Sequence, residues 1–232
     1  MTIITPPVVA AFDLDGTLSH GGSVVKWLRH VGGTRATVAA SIRLAGPLVV
    51  GALRSGRWAD GAKERLFQRL LGGRDVNVVA EASTTFALAH FATRGRRRLL
   101  ERLEWHRRQG HAIVIVSASP QIYVDVVARE LGASGSLGTR LAVDPLGKLT
   151  GSYLGKNCRG EEKMRRLSEW IEQRDYDVTP LTFAYGNSRG DRAMLRAANY
   201  PFNVGRLGRL GTLRRFPRLQ NETNVSAPTA GE

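Results

Sequence analysis

Three short apolar runs punctuate the chain: Val8–Phe12, Ile113–Val116 and Leu181–Tyr185. Each is unbroken and ends in small polar residues, the pattern of a parallel strand buried on both faces. Between the second and third, Pro120–Leu131 and Glu161–Gln173 carry apolar residues at helical spacing. The stretch TRLAVDPLGKLTGSYL between those helices alternates about an Asp-Pro-Leu-Gly turn and predicts a short β-hairpin. Strands alternating with helices predict an α/β doubly wound domain, in which ligands sit beyond the carboxyl ends of the strands. Residues 20–95 read differently. Ser23–Val31, Thr34–Leu53, Trp58–Leu71 and Val76–Phe91 have helical spacing, with breaks at Gly32-Gly33 and Gly72-Gly73, and strand alternation is missing. They predict a four-helix insert between the first strand and the basic helix Arg96–Gln109. After Val204 the pattern decays, which predicts a basic C-terminal tail over 205–232, disordered in its last dozen residues.

Composition narrows this only a little. The 232 residues are 42% hydrophobic and 23% charged, which is globular. A lone cysteine, Cys158, excludes an internal disulfide. The opening MTIITPPVV has no basic region followed by an apolar one, so a signal peptide is not expected. The longest apolar run, Leu44–Leu53, is ten residues with a proline inside, about half of a bilayer crossing. The expectation is a cytoplasmic protein.

Charge changes the picture more. The net charge is +14, and it is regional: residues 18–95 contribute +7, 96–109 +4 and 205–232 +3. Two readings stay open, arginine-rich helix faces in solvent or a surface for an acidic partner.

The ends of the apolar runs carry the chemistry. Val8–Phe12 runs into Asp13 and Asp15, two carboxylates that repel unless a cation or a reaction needs both, and Gly16 lets the chain turn there. Ile113–Val116 ends in Ser117-Ala118-Ser119-Pro120, a hydroxyl and free N–H groups suited to a phosphoryl oxygen. Lys163 sits in the first turn of the helix after Gly160. Leu181–Tyr185 leads into Gly186-Asn187-Ser188-Arg189-Gly190-Asp191, whose oxygens suit a hard cation such as Mg²⁺.

These four features, in this order, resemble the haloacid dehalogenase superfamily of hydrolases, in its phosphoserine-phosphatase-like subfamily with a helical cap. FDLDGTL, VSAS, Lys163 and GNSRGD match the four family motifs, over a framework of residues 8–204. The resemblance implies an α/β fold: a Rossmann-like three-layer core with a mostly parallel sheet (1–19 and 96–204) and an inserted α-helical cap (20–95). It implies a phosphatase in which Asp13 is the nucleophile that becomes an aspartyl-phosphate and Asp15 the general acid and base. Ser117 would bond the phosphoryl group and Lys163 would neutralise it. Mg²⁺ would be held by the Asp13 carboxylate, the Asp15 carbonyl and the fourth motif, through Asn187 and Asp191.

Asn187 departs from the family, which usually carries aspartate there, and an amide brings no negative charge. Phosphoserine phosphatases also carry a glutamate after the first motif to hold the substrate ammonium, and Ser19-His20-Gly21-Gly22-Ser23 has none. The expectation is therefore a Mg²⁺-dependent phosphomonoesterase acting on a small acidic metabolite or a phosphorylated lipid headgroup. Ser119 and Arg159 are candidate substrate contacts, and an anionic membrane surface is a candidate partner. Two alternatives are a phosphoserine phosphatase and a catalytically weakened module binding nucleic acid or anionic membrane. Phe216 stands alone among the arginines of 205–219, which argues against nucleic acid.

Overall fold

The computed structural model describes residues 6–44, 46, 57–206 and 211–219. Its centre is β1 (Val8–Phe12), flanked by β2 (Ala112–Pro120) and β6 (Leu181–Gly186). With β3 (Gly135–Thr139) and β7 (Tyr200–Asn203) they form a five-stranded sheet in the order β3-β2-β1-β6-β7, every neighbour parallel. Phe12 pairs with Ile115 on one side and Tyr185 on the other, so the three carboxyl ends lie abreast.

Alternation along the strands divides the core. Ala10, Phe12, Ile113, Ile115 and Tyr185 face one hydrophobic cluster. Val9, Ala11, Val114, Val116 and Ala184 face the other, with Leu167 of α7 (Glu161–Glu172) and Met194 of α8 (Arg192–Ala197). The first cluster takes in α5 (Arg97–Arg108) through Leu99 and Leu103, and α6 (Gln121–Glu130) through Tyr123 and Val124. This is a three-layer α/β sandwich.

The sequence pattern showed three parallel strands, and the sheet has five. The two it missed, GSLGT and YPFN, are short edge strands: GSLGT has one large apolar side chain, and in YPFN a proline interrupts the Tyr200–Phe202 alternation. The second run also continues past Val116 to Pro120, with its pairing to β3 shifted in register between those residues. The hairpin is present as β4 (Leu141–Val143) and β5 (Leu149–Tyr153), antiparallel.

Residues 20–95 leave and re-enter through a narrow neck. Arg96 N–H donates to Leu18 O at 2.8 Å and His20 N–H to Arg94 O at 2.7 Å. Beyond it lie α1 (Val24–Gly32), α2 (Thr34–Arg43), α3 (Arg57–Leu71) and α4 (Val76–Arg94). Of the helix expected over Thr34–Leu53, α2 accounts for the first ten residues; most of the apolar run Leu44–Leu53 lies outside the described residues. Trp27, Phe86 and Phe67 join the cluster that Tyr123 and Phe12 occupy, so insert and sheet share one apolar core.

The expected tail differs from its pattern. Leu213 is buried in the second cluster, and Asn203 N–H donates to Pro217 O at 2.8 Å. Residues 211–219 therefore return to the core, anchored by buried Leu213, by Phe216 and Leu219 packed against the clusters and by a main-chain bond, none of which a periodicity search registers. The last dozen residues lie outside the described part.

Candidate active site

At the carboxyl ends of β1, β2 and β6 a cavity of about 120 Å³ is lined by Asp13, Asp15, Ser117, Arg159, Lys163 and Asp191, with Ala118, Ser188 and Gly190 completing it. Asp13 ends β1. Its Oδ2 accepts from Thr17 Oγ at 2.9 Å, and its Oδ1 accepts from Lys163 Nζ at 2.5 Å. The same ammonium donates to Asp191 Oδ1 at 2.6 Å. All three side chains are buried.

This triad is charged but out of water, and its protonation shows it. Burial, reinforced by the Asp191 carboxylate, pushes Asp13 up to about 7 against the pull of Lys163. For Lys163, burial works to lower the value, but the carboxylates of Asp13 and Asp191 outweigh it and hold the ammonium well above the usual lysine range. Lys163 is a fixed positive charge.

Asp15 is oriented at both oxygens. Oδ1 accepts from Ser23 N–H at 2.8 Å and Oδ2 from Ser119 Oγ at 2.9 Å. Ser119 therefore supports Asp15 and is not part of the cavity lining, whereas Ser117 lines it and its Oγ accepts from Ser119 N–H at 3.0 Å. Arg159 lines the cavity, its stem close against Gly190.

The GNSRGD loop is closed by Asp191 itself. Its Oδ2 accepts from Asn187 N–H, Ser188 N–H and Ser188 Oγ at 2.9–3.1 Å. With Oδ1 on Lys163, both oxygens of Asp191 are engaged by the protein. Asn187 lines the neighbouring cavity of about 370 Å³ with Gly16, His20 and Arg96. Its amide lies hard against Gly16, where a Cβ would stand 1.9 Å from Asn187 Nδ2; Gly16 also has φ +82°, so only glycine suits the turn.

Asn187 Oδ1 is buried and has no hydrogen-bond partner among the described residues. A buried acceptor without a donor, in the loop whose Asp191 shares Lys163 with Asp13, fits a cation there. No three His, Cys, Asp or Glu side chains converge as a metal cage among the described residues. A hard cation here would depend on an amide and a main-chain oxygen as well as carboxylates.

One contributor carries no local signal in the sequence. Lys63 of α3 reaches across to donate to Ala118 O at 2.5 Å and to Asn157 Oδ1 at 3.3 Å. Asn157 Nδ2 in turn donates to Asp60 Oδ1 at 2.5 Å. Burial lowers Lys63 to about 8, with Asp60 and Asp15 opposing. Its nearest catalytic neighbours are 48 or more positions away along the chain, and an ordinary amphipathic helix would show the same lysine.

The profile of the haloacid dehalogenase-like hydrolases matches residues 10–196. Protein CicA of Caulobacter vibrioides is 34% identical over 193 residues, covering 83% of this chain and 84% of that protein. Named phosphatases recur among the shorter matches. A Bordetella pertussis protein of unknown function superposes with a TM-score of 0.73 at 22% identity, over 86% of this chain and 90% of that one. A substrate-bound phosphoserine phosphatase gives 0.62 at 16% identity, over 91% and 90%. Among the described residues no helix is long and apolar enough to cross a membrane.

Proposed function

The chain belongs to the haloacid dehalogenase-like hydrolases and is an enzyme of the phosphatase kind, and from that premise we propose that it is a Mg²⁺-dependent phosphomonoesterase working through an aspartyl-phosphate on Asp13. The observation that carries this reading is the buried triad: Lys163 Nζ bonded to Asp13 Oδ1 at 2.5 Å and to Asp191 Oδ1 at 2.6 Å, at the mouth of three parallel strands.

In the first step an Asp13 carboxylate oxygen attacks phosphorus, the bond to the ester oxygen breaks, and Asp15 gives its proton to the leaving alcohol. In the second, Asp15 takes a proton from water as that water attacks phosphorus. The bond to Asp13 breaks, and inorganic phosphate leaves. The hydrogen bonds from Ser23 and Ser119 hold Asp15 for both transfers. Ser117 and the main chain of Ala118 face the phosphoryl oxygens, and Lys163 offsets the charge that gathers there. Mg²⁺ would be held by Asp13, the Asp15 carbonyl, the Asn187 amide oxygen and Asp191, directly or through water, and would supply the positive charge that the triad lacks.

Residues 20–95 act as the cap, with α3 presenting Lys63 beside Ala118. The substrate class is a small phosphate ester with a second anionic group, which Lys63 and Arg159 would meet; a phosphorylated lipid headgroup has the same chemistry. Phosphoserine fits less well, because its ammonium would find no carboxylate in Ser19–Ser23.

Phosphate release from p-nitrophenyl phosphate with and without Mg²⁺ tests the reading. Turnover should require Mg²⁺ and vanish in Asp13→Asn with near-UV circular dichroism unchanged. Asp15→Asn should lose roughly 10²–10⁴-fold, the scale of a positioned acid–base group. Substantial turnover by Asp13→Asn would rule out the covalent route.

A further inference from the structure

The loop that closes the catalytic cavity has a second side. Ser188 and Gly190 face the cavity, while Arg189 between them lines a separate cleft of about 530 Å³. Arg192 and Arg196 of the following helix continue that side, and Arg214 and Arg215 of the returning C-terminal segment close it. Phe216 lines it too and packs against the second hydrophobic cluster. Buried Leu213 and the bond from Asn203 N–H to Pro217 O anchor the segment that carries the last two arginines.

Five arginines thus line one concavity that, among the described residues, holds no carboxylate. Among the described residues none of the five forms an ion pair, while surface arginines elsewhere, such as Arg97, Arg107 and Arg165, pair with neighbouring glutamates. They come from two separate segments, the loop and helix of Arg189–Arg196 and the returning segment with Arg214 and Arg215, and wall one cleft. A cleft walled by like charges without ion-pair partners suits an anion that fills it.

The chemistry selects the anion. Guanidinium forks match phosphoryl oxygens two at a time. The volume is that of a small-ligand site and far exceeds one phosphate, and the surface is concave, which suits a discrete molecule better than a flat bilayer. We propose that this cleft binds a small soluble ligand carrying several phosphoryl groups, outside the catalytic cavity. The arginine lining supplies charge and hydrogen-bond donors, the chemistry of binding.

The probe is inorganic tripolyphosphate, titrated calorimetrically against the full chain with excess orthophosphate present to fill the catalytic cavity. Binding should persist, weaken as salt rises, and fall at least tenfold in the triple variant Arg196→Ala, Arg214→Ala, Arg215→Ala. Turnover of p-nitrophenyl phosphate should be the same in both proteins, which separates failure of this site from failure of the phosphatase reading. The corresponding triple lysine variant keeps the charge without the forks, and its affinity should fall between. Equal affinity in wild type and the alanine variant, or complete displacement by orthophosphate, would overturn the proposal. So would binding to phosphatidylglycerol vesicles without binding to tripolyphosphate, which would place a membrane there instead.

Discussion

Asn187 and Lys63 are the two residues at which this site parts from its motifs. Asn187 keeps an oxygen where a negative charge is expected, and that oxygen is buried without a donor. Asn187→Asp adds the missing charge in the same shape, so the Mg²⁺ concentration for half-maximal activity should fall; an unchanged or higher value would remove residue 187 from the metal set. Lys63 makes a different prediction, because burial holds it at about 8. Below that pH it is charged and would favour an anionic group on the substrate; above it the charge is lost. The KM for a carboxylate-bearing phosphate ester should therefore rise as pH passes 8 in the wild type, and should be high and flat in Lys63→Met. The KM for a neutral aryl phosphate should move little in either protein. The four motifs were legible in sequence because each is local: three are a strand end and the few residues after it, and the other is the lysine in the first turn of α7 after Gly160. Lys63 was not, since its contact with Ala118 spans 55 positions and depends on how α3 packs.

Elements were legible to the extent that burial is symmetric about them. β1, β2 and β6 are covered on both faces, so their sequences are continuous apolar runs. β3 and β7 lie at the edges and are only five and four residues long; glycine and serine dilute the first, and proline breaks the short Tyr200–Phe202 alternation of the second. Beside the apolar contact of Leu99 and Leu103, a polar contact between α5 and the sheet was equally hidden. His106 is fully buried, with Nε2 2.8 Å from Tyr185 Oη and Nδ1 2.7 Å from His111 Nδ1, while Arg102 Nε donates to Tyr185 Oη at 2.8 Å. Two ring nitrogens that close cannot both carry protons, so at least one imidazole is neutral. Burial, with Arg102 and His111 adding to it, lowers His106 from 6.5 to about 2. The folded value lies below the unfolded one, so the folded protein binds fewer protons than the unfolded chain below pH 6.5. Stability is present above that pH and is lost as pH falls, by up to about 1.4 kcal/mol per pH unit. Urea unfolding at pH 7 and pH 5 should show this loss in the wild type and a smaller one in His106→Gln. Equal losses would mean that other groups govern the acid limb.

At the scale of the molecule, the insert and the core are joined on two sides, and this decides how the site is assembled. One side is the shared apolar cluster around Trp27, Phe86 and Tyr123. The other is a seam where α3 lies across the hairpin: Tyr153 N–H donates to Glu64 Oε1 at 2.7 Å and Gln68 Nε2 to Ser152 Oγ at 3.1 Å. Helical periodicity predicted α3 but not what it rests on, since the hairpin lies some eighty positions later. Gly151 makes that approach possible. It has φ +79°, and a Cβ there would stand 2.3 Å from Gln68 Cα, main chain that cannot rotate away. Gly151→Ala must therefore strain the hairpin and push α3 outward. A left-handed alanine costs about 1–2 kcal/mol and overpacking about 1–3, so the denaturation midpoint should fall by an amount worth roughly 2–5 kcal/mol. Because α3 carries Lys63, the KM for an anion-bearing phosphate ester should rise in the same variant. Mg²⁺ half-saturation should stay put, since Asp13, Asp15 and Asn187 sit on the sheet side of the molecule. Lost stability with an unchanged KM would show that the seam holds the cap in place without setting the position of its lysine.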